Sequence, residues 1–148
     1  MQNERDEGGM IRLVLVDDQP SVRQGLHMRL TLEPDMTVVG EASNGREAMT
    51  LVQQLAPDIV LMDVEMPEMD GIEAAAAMHA STPQSAVVML SLYDDVSTRA
   101  RAQAAGAAAF VTKSGAIEVL LATIRQTAQH RKTETGSRLF TQEERRAT

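Results

Sequence analysis

Short apolar runs recur along the chain at Ile11 to Val16, Met36 to Ala42, Ile59 to Met62, Ala86 to Leu90 and Ala109 to Thr112. They are rich in valine, isoleucine and leucine with little polar alternation, the pattern of strands buried on both faces of a parallel sheet. Helical spacing fills the intervals. Pro20 to Leu32 carries Val22, Leu26 and Leu30 four residues apart, with Pro20 in its first turn. Asn44, with Glu47 three residues on, resembles a capping box and opens a helix that buries Ala48, Leu51, Val52 and Leu55 and stops before Pro57. Asp70 and Glu73 form the same motif ahead of a helix whose predicted inward face is Ile72, Ala75 and Ala76. A last helix, from about Ser114 to His130, aligns Ile117, Leu120, Leu121, Ile124 and Ala128 on one stripe. Five β-α units predict an α/β fold with a parallel five-stranded sheet.

The helix between Ser91 and Phe110 differs from the others. Ser97 to Ala105 offers alanines but no leucine, isoleucine or phenylalanine. A buried alanine contributes far less than the ~1.5–3 kcal/mol of a buried leucine. This segment is therefore expected to be the most easily displaced element, unless its alanines serve to seat it close to the sheet.

The folded domain is expected to occupy residues 10–131. Residues 1–9, without apolar periodicity and ending in two glycines, read as a disordered leader. Residues 132–148 begin as a linker, KTETGS, and end in LFTQEERRAT, where Thr141 and Glu144 could cap a helix that the chain does not complete. That tail reads as the start of a truncated further domain. The absence of cysteine excludes disulfides and thiolate metal sites. The apolar runs are too short to span a membrane and the acidic start is unlike a secretory signal, so a cytoplasmic protein is expected. The net charge of −7 argues against broad nucleic-acid binding by the domain. Residues 1–115 hold 8 basic against 17 acidic side chains, a balance of −9, so the acidity belongs to the globular part.

Candidate chemistry lies at the strand ends. Asp17, Asp18, Asp63, Ser91 and Lys113 each fall at or just past the C-terminal end of a predicted strand. In an open parallel sheet those ends share one edge, where ligands bind. Carboxylates brought together there repel by ~4 kcal/mol per pair at 4 Å with an effective dielectric near 20. A Mg²⁺ ion offsets that repulsion, since it takes oxygen ligands, few carboxylates and the oxygens of a phosphate. Asp63 is then the natural nucleophile for a phosphoryl group, with Lys113 as a second cation and Ser91 as a hydroxyl donor. An Asp-Asp pair alone is more often a solvated loop or cap, and the joint placement is what points to chemistry. Strand two ends in Glu41, Ala42 and Ser43, expected at the surface. His27, His79 and His130 have no ligand spacing, and Arg99 and Arg101 read as a solvated helix face. The methionines are expected to fill gaps in the core, except Met66 and Met69 on an exposed loop beside the site.

The segments LVDDQPSVRQGL, PDIVLMDVEMPEMDG, MLSLYDD and GAAAFVTKS together resemble the response-regulator receiver domain of two-component signalling, over about Ile11 to His130. The resemblance implies a flavodoxin-like (βα)5 domain with strand order 2-1-3-4-5 and a phosphoacceptor at Asp63. It also implies Mg²⁺ held by Asp17, Asp18, Asp63 and the Glu65 backbone carbonyl, with the phosphoryl group bound by Ser91 and Lys113. Phe110 matches the family's aromatic switch position, coupled to Ser91, while Glu65 and Tyr93 match positions that govern water access to the phosphate. The implied partners are a sensor histidine kinase and, on phosphorylation, a second copy of the chain. The style of LSLYDD and of the tail is similar to the subgroup that carries a LuxR-type helix-turn-helix, so DNA contact is expected only through an output domain beyond this chain. A stand-alone receiver acting on protein partners is the alternative, and an aspartate-nucleophile phosphatase, with Glu65 as general acid, a third. On the leading reading the chain is a phosphoacceptor rather than an enzyme.

Overall fold

The computed structural model describes residues 9–131. Residues 1–8 of the expected leader, and the expected linker and output segment 132–148, lie outside the described residues. The strands are β1 (Ile11–Val16), β2 (Met36–Ala42), β3 (Ile59–Asp63), β4 (Ala86–Ser91) and β5 (Ala109–Thr112). They form one parallel sheet in the order β2-β1-β3-β4-β5, the predicted flavodoxin-like order. The helices are α1 (Pro20–Thr31), α2 (Gly45–Leu55), α3 (Gly71–Ser81), α4 (Val96–Ala104) and α5 (117–131). None of the described helices is long and apolar enough to cross a membrane.

Strand parity sorts the apolar side chains into two cores. Val14, Val16, Val60, Met62, Val87 and Met89 meet Ala48, Val52, Ile72, Ala75 and Met78 of α2 and α3 on one face. Leu13, Leu15, Ile59, Leu61, Val88 and Leu90 meet Leu30 of α1 and Leu120, Leu121 and Ile124 of α5 on the other. With helices on both faces, neither parity faces water, so the strands read as continuous runs. Arg125 reinforces the second face, donating to Asp35 at 2.8 and 2.9 Å and to Glu33 at 2.6 Å, which ties α5 to the α1–β2 loop.

The helix caps follow the predicted motifs with one shift. Asp70 and Glu73 make both bonds of the box, at 2.9 and 3.4 Å. Asn44 accepts from Glu47 N at 2.9 Å, but the Glu47 carboxylate reaches back one residue further, to the Ser43 N–H and hydroxyl.

Four expectations need correction. The inward face of α3 is Ile72, Ala74, Ala75 and Met78, with Ala76 exposed, because alanine fits either helix phase and the large Met78 selects one. Helix α5 begins at residue 117 rather than Ser114. Lys113 to Gly115 form a turn closed by Gly115 N and the Thr112 carbonyl at 3.2 Å. Ala42 is buried between exposed Glu41 and half-buried Ser43, since alternation at the strand end turns it under α2. Met66 is buried within the α2–α3 core, and Met69 packs against that core beside Gly45.

In α4 only Ala102 is buried, so the helix lacks the apolar anchorage that α5 draws from Leu120, Leu121 and Ile124. Gly71 is the most crowded of the described glycines. A Cβ at that position would stand 2.0 Å from the Asp63 carbonyl oxygen, so the β3–α3 loop can cross the end of β3 only without a side chain. Gly71→Ala is expected to lower stability by about 1–3 kcal/mol, read from the urea midpoint. An unchanged midpoint would mean the crossing adjusts freely.

Candidate functional site

Sheet register assembles the site. Val16 pairs with Met62, which sets Asp17 beside Asp63 at the ends of adjacent strands. Asp63 pairs with Leu90, so Ser91 extends one residue beyond it, and Lys113 N donates to the Ser91 carbonyl at 2.8 Å. All five predicted strand-end residues therefore reach one edge. Ligand oxygens of Asp17, Asp18 and Asp63 lie within 4.8 Å of one another, and this trio is the one such His, Asp or Glu grouping among the described residues. Asp17 and Asp63 are buried and Asp18 half-buried.

The Lys113 ammonium stands 3.0 Å from Asp17 Oδ2 and 2.9 Å from Asp63 Oδ1. One cation thus bridges two buried anions and leaves negative charge in excess. Burial, with the charge of Asp17 added, pushes the Asp63 carboxyl up to about 6, against the pull of Lys113 and of the Glu65 N–H. Burial alone would lower the Lys113 ammonium, but its bonds to Asp63 and Asp17 outweigh that and hold it above the ordinary lysine range. Glu65 N also donates to Asp63 Oδ1, at 3.2 Å, so the described bonds to Asp63 fall on Oδ1. Asp17 is oriented by Gln19 N, 2.9 Å from its Oδ1. Three convergent carboxylates with no nitrogen or sulfur donor suit a hard divalent cation of the magnesium type.

The Glu65 side chain makes contacts outside its expected roles. Its carboxylate accepts from the Ser91 hydroxyl at 2.6 Å and from Leu92 N at 3.1 Å, while Ser91 Oγ accepts from Tyr93 N at 3.0 Å. The buried Ser91 hydroxyl is thereby committed to Glu65. The sequence held the signal for this contact, because β3 and β4 are neighbours and Glu65 and Ser91 sit just past and at their ends. Tyr93 is exposed beside the site. Phe110, opposite Met89 in β5, is half-buried against the α2–α3 core.

Arg99 and Arg101 are not simply solvated. The Arg99 guanidinium lies 4.7 Å from the Phe110 ring centroid and pairs with Asp94, and Arg101 reaches Asp70 at 3.4 Å. His27 and Arg23 both pair with Glu41 on the surface of α1. Beside Lys113, an apolar cleft of ≈ 410 Å³ opens between α1 and α5, lined by Val22, Leu26, Leu92 and Ile117. A larger cavity, ≈ 580 Å³, lies at the opposite sheet edge near His79 and His130, away from the acidic trio.

Comparison with known proteins agrees with this arrangement. Residues 13–125 match the family described as response regulator receiver domain. The uncharacterized transcriptional regulatory protein YxjL of Bacillus subtilis (strain 168) is 39% identical over 119 residues, covering 80% of this chain and 55% of that protein. A protein-glutamate methylesterase/protein-glutamine glutaminase of Anaeromyxobacter dehalogenans is 44% identical over 105 residues, 70% of this chain and 31% of that protein. The crystal structure of a LuxR-family two-component response regulator from Aurantimonas sp. SI85-9A1 superposes with a TM-score of 0.70 at 32% identity, covering 84% of this chain and 99% of that one. The chain spans about half the length of YxjL and a third of the methylesterase. With register, acidic trio and bridging lysine in accord, the chain belongs to the response-regulator receiver family.

Proposed function

We propose that this domain is a phosphorylation-controlled switch whose phosphoacceptor is Asp63. The observation that carries the reading is a buried strand-end carboxylate bridged to Asp17 by Lys113 and accompanied by Asp18. Asp63 Oδ2, which takes part in neither bond to Oδ1, is the attacking oxygen. It forms a bond to the phosphorus of a phosphohistidine on a sensor kinase as the P–N bond breaks, and the imidazole leaves with that electron pair and takes a proton from solvent. Asp17, Asp18, Asp63 and the Glu65 carbonyl would hold Mg²⁺, which when bound neutralises charge shared between carboxylates and phosphoryl oxygens. Lys113 remains as the fixed protein cation for the same oxygens. Water later attacks the phosphorus as the P–O bond to Asp63 Oδ2 breaks, the carboxylate keeps that electron pair and inorganic phosphate leaves, so the domain is consumed and regenerated rather than turning over an outside substrate.

The cytoplasmic location expected of the chain goes with a soluble phosphodonor domain on the kinase. The apolar cleft beside Lys113 is where that domain would pack while presenting its histidine. Transcription is the process we propose to be regulated, through a DNA-binding output domain outside this chain, in keeping with the name of YxjL. The methylesterase relative favours a second reading, in which a similar receiver controls a different output.

With acetyl phosphate and Mg²⁺, intact mass should rise by one phosphoryl group, and Asp63→Asn should abolish the gain. Stoichiometric labelling of that variant would overturn the assignment.

Asp63 also makes stability depend on pH. Its folded carboxyl titrates near 6 against an ordinary 3.8, so between these values the folded state holds more protons than the unfolded chain. Stability from this group is therefore lost as pH rises through that window. In metal-free buffer Asp63→Asn should gain on the wild type by roughly 2–3 kcal/mol between pH 4 and pH 7.5, measured by urea unfolding at each pH.

Phosphorylation is further expected to convert monomer to homodimer, through either the α1–α5 face or the α4 face. Light scattering with and without beryllium fluoride checks this. An identical mass in both states at high concentration would count against it.

A further inference from the structure

We propose that Arg99 is a positioning residue that clamps the Phe110 ring and α4 in the unphosphorylated arrangement, linked through Asp94 to the loop that carries Ser91. This inference rests on the switch reading given above. Its starting point is what holds α4. Ala102 is the helix's only buried side chain, and charged groups take part in the side-chain bonds described for it. Asp95 caps it, accepting from Thr98 N at 3.0 Å and from the Thr98 hydroxyl at 2.8 Å. Arg101 reaches Asp70, the N-cap of α3, and Arg99 pairs with Asp94 while its guanidinium stands 4.7 Å from the Phe110 centroid.

Those contacts form a continuous path from the acidic edge. Glu65 holds the Ser91 hydroxyl and the Leu92 N–H. Asp94 follows three residues after Ser91, and Arg99 joins Asp94 to the ring. For Ser91 Oγ to reach a phosphoryl oxygen on Asp63 it must leave Glu65, and phosphoryl charge beside the Glu65 carboxylate drives the two apart. The Leu92 to Asp95 segment then shifts and carries Asp94 with it. Arg99 cannot follow Asp94 and stay over Phe110, so the ring and the first turns of α4 are released together. A buried leucine would anchor a helix by packing, but position 99 is half exposed. The guanidinium instead gives a contact that a displaced loop can break.

The clamp has a measurable size. An exposed cation–π contact changes an equilibrium about two- to fivefold. A bias of that size against the active arrangement weakens a phosphoryl mimic by the same factor, because a ligand's apparent affinity scales with the population of the competent state. Removing Arg99 should therefore tighten binding.

The test compares wild type, Arg99→Ala, Arg99→Lys and Asp94→Asn. Amide hydrogen exchange and the Phe110 ring resonances are followed in the unphosphorylated protein, and beryllium fluoride with Mg²⁺ is then titrated. Tyr93 is the chain's only tyrosine and there is no tryptophan, so its fluorescence reports on the loop during the titration. Arg99→Ala is expected to speed exchange in α4, shift the Phe110 resonances and tighten beryllium fluoride binding about two- to fivefold. Arg99→Lys should fall between, since it keeps the charge but loses the planar stack. Asp94→Asn should resemble Arg99→Ala in exchange. Unchanged exchange and ring shifts in Arg99→Ala would overturn the clamp, as would weaker binding of the mimic. If the wild type fails to bind beryllium fluoride at all, the switch reading fails, while the exchange and ring measurements still decide whether Arg99 holds α4 and Phe110.

Discussion

The single ammonium of Lys113 is what allows Asp17 and Asp63 to sit side by side in a buried edge. Without it, two carboxylates at that separation would force a proton onto one of them or push the strand ends apart. The lysine can do this only because β5 lies outside β4 in the sheet, where the turn after Thr112 aims its long side chain across Ser91 toward β3 and β1. Topology, register and site charge are thus one problem. The compensation is also incomplete, which leaves room for a divalent cation and a phosphoryl group rather than a closed ion pair.

The parts of this architecture that were legible in the sequence are those where large side chains set a phase. Leu120, Leu121 and Ile124 fixed the face of α5, and the five apolar runs fixed the strands and with them the common edge. Where side chains were small, the reading failed. The alanines of α3 fit two phases until Met78 chose one, and Met66 gave no sign that the loop after Asp63 folds back into the core. The acidic trio and Lys113 could be placed from strand ends alone, because parallel pairing leaves little freedom there. The contact of Arg99 with Phe110 could not, because long side chains choose partners by local rotamer and distance, which no periodicity encodes.

Relatives of this receiver differ in what they control. One is named a transcriptional regulatory protein and another a methylesterase/glutaminase, with comparable identity over the shared region. Within the shared region, α4 is held by one buried alanine and a fringe of charged contacts.

The division of the apolar core by the sheet has a mechanical consequence. Phe110 and α4 belong to one layer, whereas α1, α5 and the cleft beside Lys113 belong to the other, where Arg125 ties α5 to Asp35 and Glu33. A rearrangement of α4 does not have to pass through the sheet to be complete. The surface that would receive the phosphodonor and the surface that would report its arrival lie in different layers but share Leu92, which lines the cleft and belongs to the loop that carries Asp94, so a shift of that loop is felt on both sides of the sheet.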